Sequence, residues 1–177
     1  EKEFLERCIK CGACMKICPN NALQPALHEG GLEGLWTPIL VPSVGYCEPS
    51  CVLCSHVCPT GALRPLSVEE KLGRGAHPPL RIGTAAYDRG RCLPWAMGIA
   101  CIVCEEFCPT SPKAIQLESV RIQNKEGELV EIQRPHIDPS LCIGCGTCEH
   151  VCPIPYQPAI YVTAMGETRE TDAKILL

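Results

Sequence analysis

The stretch Cys142-Ile143-Gly144-Cys145-Gly146-Thr147-Cys148-Glu149-His150-Val151-Cys152-Pro153 decides how this chain is read. Its spacing, C-x2-C-x2-C-x3-C-P, is the run of bacterial iron–sulfur ferredoxins. Three thiolates at two-residue intervals can wrap one cube of iron and sulfide. Gly144 and Gly146 leave room for backbone amides to turn inward onto the sulfurs. The fourth cysteine stands just before a proline, which stops the local helical turn. In two-cluster ferredoxins that last cysteine ligates the neighbouring cluster, so one motif implies another.

The chain supplies three more. Cys8-x2-Cys11-x2-Cys14-x3-Cys18-Pro19 is an unbroken copy, and Cys47-x3-Cys51-x2-Cys54-x3-Cys58-Pro59 widens the first interval by one residue. Cys92-x8-Cys101-x2-Cys104-x3-Cys108-Pro109 carries an insertion, Leu93 to Ala100, between its first two ligands. A longer loop still returns a thiolate to the same cube, because closure entropy grows slowly with length. The insertion's Trp95 and Met97 read as a lid that shields the cluster, or as a contact loop for a redox partner.

Four motifs of four cysteines use all sixteen in the sequence. No thiol is left for a disulfide or a nucleophile, and every iron has its own thiolate. A cluster so held exchanges single electrons but has no open iron for a reactant. The expected cofactors are four 4Fe-4S clusters, and no catalytic residue is expected. The two regular motifs stand first and last, which favours nested pairing. Cys8, Cys11 and Cys14 then take Cys152, and Cys142, Cys145 and Cys148 take Cys18. In the inner pair, Cys47, Cys51 and Cys54 take Cys108, and Cys92, Cys101 and Cys104 take Cys58. Sequential pairing, first motif with second and third with fourth, is the alternative.

Two other chemistries share parts of the pattern. The C-x3-C-x2-C run of Cys47, Cys51 and Cys54 is also the spacing of radical S-adenosylmethionine enzymes. Those enzymes need an open iron and a substrate barrel, which typically takes about 200 residues or more. Here a fourth cysteine and a proline follow in ferredoxin register. Structural zinc sites use two separated cysteine pairs, often with histidine, and do not repeat a run ending in Cys-Pro. His56 and His150 lie inside motifs, where they either tune a cluster or are plain surface histidines.

Composition bounds the fold. Sixteen cysteines are about 9% of 177 residues, while aromatic residues are 5%. A core with so few large rings is thin, so inorganic matter should fill its middle. The formal charge is −4. Each cluster core of about +2 on four thiolates adds about −2, so four bring the total to about −12. Such a body avoids nucleic acid and favours basic docking faces on proteins. No run of about 18 apolar residues is present, so no transmembrane segment is expected. The chain begins at Glu1, which reads as a processed or trimmed form, and a leader is not legible in it.

Between the motifs, Glu1 to Arg7 reads as a helical lead-in with Phe4 and Leu5 inward. Ala22-Leu23 reads as a short strand or turn leaving the first motif, and Thr60 to Leu63 as a turn into a short strand. The apolar, proline-bounded stretch Trp36 to Pro42 reads as a strand or a docking surface. Ser67 to Pro79 reads as a charged surface segment, and Arg81 to Tyr87 as a strand. Ala114 to Gln123 and Glu128 to Gln133 alternate apolar and polar residues, as a β-hairpin turning at Asn124 to Gly127 does. Pro158 to Val162 reads as a strand, and Gly166 to Leu177 as a loose tail. The expected fold is α+β: two ferredoxin-like modules with short antiparallel strands and many loops, each binding two 4Fe-4S clusters. Residues 1–30 plus 135–177 form the outer module, and 31–134 the inner one.

Three segments carry a family resemblance: Cys8-Ile9-Lys10-Cys11-Gly12 after an acidic lead-in, Gly31 to Pro38 (GLEGLWTP), and Cys101-Ile102-Val103-Cys104-Glu105-Glu106. The chain resembles the four-cluster ferredoxin-type proteins of the MauM/NapG kind, found with periplasmic nitrate reductase and methylamine-utilisation systems. The resemblance implies nested ferredoxin-like modules, 4Fe-4S clusters at the sixteen cysteines and service as an electron-transfer subunit. It implies redox protein partners: an oxidoreductase catalytic subunit, a cytochrome or a membrane quinol-oxidising protein. It also implies a periplasmic or membrane-associated location, with a cytoplasmic one left open. Four-cluster subunits of molybdenum and tungsten oxidoreductases share this architecture. A role as assembly or docking scaffold for such a catalytic subunit is therefore the second functional reading.

Overall fold

Seventeen prolines and fifteen glycines interrupt the chain so often that, among the described residues, only two strands reach nine residues. The computed structural model describes residues 2–74, 78–123 and 127–168. The chain divides into two compact units, Glu1–Leu80 and Arg81–Leu177. Each unit therefore holds two consecutive motifs. This differs from the expected division into 1–30 plus 135–177 and 31–134. The physical reason is that each unit closes its strand pairs between its own segments. The regular or altered spacing that suggested nesting reports only loop length inside a motif.

In the first unit, helix α1 (Lys2–Arg7) leads into the first motif, with Phe4 and Leu5 only half-buried. Helix α2 (Ala13–Ile17) lies within that motif and α3 (Leu53–His56) within the second. Strand β1 (Leu23–Pro25) pairs antiparallel with β2 (Pro38–Leu40), Leu23 opposite Leu40. The strand reading of 36–42 thus holds for its centre, while Trp36 is 58% exposed at φ 69°. The strand expected after Thr60 is not formed. Its amides are taken by side chains, the Leu63 N–H by Cys58 Sγ at 3.5 Å and the Leu66 N–H by Ser55 Oγ at 3.2 Å. The charged segment that follows contains α4 (Val68–Leu72), begun by a capping box between Ser67 and Glu70. Gly73 ends it in the left-handed conformation, where a Cβ would meet Pro79 N at 2.4 Å. Among the described residues of this unit the buried apolar side chains are small: Ala22, Ala26 and Pro42.

In the second unit, β3 (Thr84–Tyr87), ahead of the third motif, pairs antiparallel with β6 (Ile160–Thr163), beyond the fourth. Strands β4 (Ile115–Gln123) and β5 (Leu129–Ile137) form the expected hairpin, in register from Ile115↔Ile137 to Gln123↔Leu129. Of its expected turn, residues 124–126 lie outside the described residues. Pro135 is tolerated within β5 because a two-stranded ribbon leaves one edge of each strand unpaired. Helices α5 (Val103–Glu106) and α6 (Thr147–His150) lie within the two motifs. The core is Ala85, Ala114, Ile115 and Ile160 packed with Cys104, Cys142 and Cys148. Of the tail expected from Gly166, residues 169–177 lie outside the described residues.

Candidate functional site

Each C-x2-C-x2-C run folds as a loop into a single helical turn, which throws three sulfurs to one side. In the first unit Cys8, Cys11 and Cys14 wall a cavity, and the fourth sulfur on that wall belongs to Cys58. Phe4, Met15, Pro38 and Leu63 close the remainder. Burial is what chiefly raises the Cys47 and Cys54 thiols, and Cys18 beside Cys47 and Cys14 beside Cys54 add to it. In the second unit Cys92, Cys101, Cys104 and Cys152 wall a cavity together, closed by Tyr87, Leu93, Pro135 and Ile160. Cys108 is felt by Cys145 and Cys148, and Cys104 also by Cys148. The structure thus brings Cys58 to the first motif's leading three cysteines and Cys152 to the third's, and sets Cys18 near Cys47 and Cys108 near Cys145 and Cys148. The nested sets, with Cys152 beside Cys8 and Cys58 beside Cys92, are not the groupings around these two cavities. None of the sixteen cysteines is in a disulfide.

The electrostatics suit a cationic guest. Burial pushes the Cys14, Cys47, Cys54, Cys92 and Cys145 thiols up, and the Cys148 thiol well up. Burial raises Cys104 to about 11, against the opposing pull of Tyr87. Crowded thiols of this kind become thiolates only against a strong positive core, which a metal cluster provides. At Cys58 slight burial acts upward, but hydrogen bonds from the Leu63 amide and Thr60 outweigh it and lower the thiol.

Donors surround the sulfurs. The Ala85 N–H donates to Cys142 Sγ at 3.4 Å and the Ala159 N–H to Cys152 Sγ at 3.4 Å. The Tyr87 hydroxyl lies 3.2 Å from Cys104 Sγ, and its own ionisation is pushed far up, first by burial and then by the neighbouring cysteines. Threonine two residues after a cysteine recurs: Thr60 to Cys58 at 3.8 Å, Thr110 to Cys108 at 3.4 Å, and Thr147 to Cys145 at 3.3 Å. That C-x-T spacing is a signal legible in the sequence. The Lys71 ammonium reaches Cys47 Sγ at 3.2 Å, Glu48 O at 2.7 Å and Cys51 O at 2.6 Å. Nothing in the cysteine spacing announces it, but Ser67-x-x-Glu70 does announce the helix that carries it.

The insertion in the third motif forms a π-helical turn, Leu93–Met97. Leu93 faces the cavity, whereas Trp95 packs on the hairpin, donating from Nε1 to Pro135 O at 3.1 Å. The guanidinium carbons of Arg89 and Arg134 lie 4.4 and 4.9 Å from the Trp95 ring centroid. Met97 is 61% exposed. The lid reading therefore applies to Leu93, and Trp95 is its anchor. His56 bonds the Leu66 carbonyl at 2.9 Å, a structural contact, and His150 is exposed.

Residues 4–24 match the family model of a 4Fe-4S binding domain, and residues 99–154 that of a 4Fe-4S dicluster domain. The chain is 36% identical over 153 residues to the methylamine utilization ferredoxin-type protein MauM of Methylorubrum extorquens, spanning 86% of this chain and 64% of that protein. It is 35% identical over 167 residues to the ferredoxin-type protein NapG of Escherichia coli, spanning 94% of this chain and 68% of NapG. The ferredoxin-type protein NapF of the same organism is 29% identical over 172 residues, 93% of this chain and 82% of NapF.

Proposed function

Because the chain belongs to the family of ferredoxin-type 4Fe-4S electron-transfer proteins that includes NapG and MauM, we propose that it relays single electrons through four clusters between redox partner proteins. The observation that carries this is the grouping of cysteines around the two cavities, Cys8, Cys11, Cys14 with Cys58 and Cys92, Cys101, Cys104 with Cys152. Those four-thiolate walls leave each iron a protein ligand. The remaining sets are then Cys47, Cys51, Cys54 with Cys18, and Cys142, Cys145, Cys148 with Cys108. Each unit is a ferredoxin-like module of two clusters, and the dicluster match over residues 99–154 supports that for the second.

The clusters, when bound, supply one-electron redox chemistry. The chain's own residues set its terms. Tyr87, Leu93, Pro135 and Ile160 keep water from one tetrad. The amides of Leu63, Ala85 and Ala159 spread the negative charge of the thiolates. As partners we propose an oxidoreductase catalytic subunit and a cytochrome or membrane quinol-oxidising protein, in or at the periplasm. Among the described residues no helix is long and apolar enough to cross a membrane.

Paired cysteine removals test the relay's wiring. Anaerobically loaded protein should hold about 16 irons and as many sulfides. The double variant Cys8→Ala/Cys58→Ala removes two ligands of one cluster and should retain about 12 irons; Cys8→Ala/Cys152→Ala damages two clusters and should retain about 8. The reverse pattern would restore nested pairing, and a colourless, zinc-bearing wild type would end the electron-transfer reading.

A further inference from the structure

Lys71 is 7% exposed, and burying an ammonium is costly unless its charge and its three donors are met. All three are met, by one sulfur and two carbonyl oxygens, none of them a carboxylate. Carbonyl dipoles alone are weak recompense for a buried cation, so the group that balances the charge should be the sulfur. A neutral thiol cannot do this; a cluster-bound thiolate can. The segment around Lys71 is built to hold it. The Ser67–Glu70 capping box fixes the start of α4, the left-handed Gly73 fixes its end, and the Leu80 N–H bonds back to Lys71 O at 3.1 Å. The two carbonyls it clasps span the wider C-x3-C interval, so the ammonium also braces the one loop that departs from the regular spacing.

We propose that Lys71 sets the reduction potential of the cluster bordered by Cys47, making it the resting place of the electron in the first unit. The inference rests on the proposed ligand set Cys47, Cys51, Cys54 and Cys18. Reduction adds one electron to that site, taken from the neighbouring set of Cys8, Cys11, Cys14 and Cys58, which is oxidised by one. No bond is made or broken. The site's charge passes from about −2 to about −3. A fixed cation in contact with one ligand stabilises the more negative state, and low local dielectric magnifies its effect. Among the described residues no side-chain cation bonds a sulfur of the Cys8 set: Arg7, next to Cys8, pairs with Glu3 at 2.9 Å, and Lys10, next to Cys11, points its ammonium to Glu33 O at 3.2 Å.

The test is a dye-mediated redox titration of the intact chain, followed by electron paramagnetic resonance, with iron counted on the same samples. In Lys71→Met and Lys71→Gln one cluster should become harder to reduce, its reduced-to-oxidised ratio at fixed poise falling about tenfold or more, a midpoint about 59 mV lower for one electron. The other three should not move, and Lys71→Arg should stay near wild type. If Met and Gln keep about 16 irons with all midpoints unchanged, the proposal fails and Lys71 is only a brace. Should Met and Gln each shed one cluster, retention with an unaltered midpoint in Arg supports the charge. Loss in Arg as well overturns it. A wild type short of about 16 irons would instead count against the four-cluster reading itself.

Discussion

The two units carry eight cysteines each, yet they cover them differently. In the second unit Cys92, Cys104, Cys142, Cys145 and Cys148 are buried; in the first none is, and Cys11 is exposed. Strands β1 and β2 hold the same place between motifs as β4 and β5. The pair β3·β6, which flanks both motifs of the second unit, has no strand counterpart among the described residues of the first. Helices α1 and α4 occupy those flanks. The difference reaches individual residues. Gly144 and Lys10 stand at the same place in the regular motif, both left-handed, at φ 69° and 56°. A Cβ on Gly144 would sit 2.4 Å from Gly83 N, because the chain entering β3 runs over it and Ile82 N–H bonds Ile143 O at 2.9 Å. With no such strand over it, position 10 accepts a lysine. A strand laid over a cluster loop thus demands glycine beneath it and returns burial; a loop left bare tolerates side chains and stays wet.

That contrast should show most strongly in lability. On limited exposure of the loaded protein to air, thiol oxidation follows exposure, so the first unit's share, about 8 of about 16 irons, should leave first. Peptide mapping after alkylation should label Cys8 to Cys58 before Cys92 to Cys152. Simultaneous labelling would remove the meaning given to burial. Next in size, Gly144→Ala combines left-handed strain with a backbone clash and should cost on the order of 2–4 kcal/mol in anaerobic denaturation. Lys10→Gly should change stability by under about 1 kcal/mol. Equal effects would mean that β3 does not distinguish the two loops. Smallest is Tyr87→Phe, which deletes one hydroxyl donor to Cys104. A net hydrogen bond of about 0.5–1.5 kcal/mol corresponds to a midpoint lower by about 20–60 mV in one cluster. The shift in Lys71→Met should exceed it, since a charged donor outweighs a neutral one.

Sequence spacing made the metal chemistry legible because ligand geometry is local: sulfurs three and four residues apart must share one turn. The hairpin of β4 and β5 was legible for a similar reason, since alternation such as Ser119, Arg121 and Gln123 against Val120 and Ile122 records one wet face. The division into units was not, because the choice of Cys58 or Cys152 as a fourth neighbour depends on which segments close sheets together. Lys71 escaped for another reason. A lone lysine in a charged stretch carries the same composition signal whether it faces water or sulfur. Its burial comes from a helix of five residues oriented by its caps, and no periodicity emerges over so few positions. The strand expected after Thr60 failed because apolar residues there lacked a ladder partner, and their amides turned to Cys58 and Ser55.

The pairing of β3 with β6 sets a schedule for synthesis. Thr84 meets Thr163 and Tyr87 meets Ile160, so the second unit cannot close until nearly all of its chain has left the ribosome. The first unit is complete by Leu80, and domains generally fold as they emerge. Loading of metal can therefore begin at the N-terminal half while the remainder is still being translated. The better-covered half is the later one to be sealed.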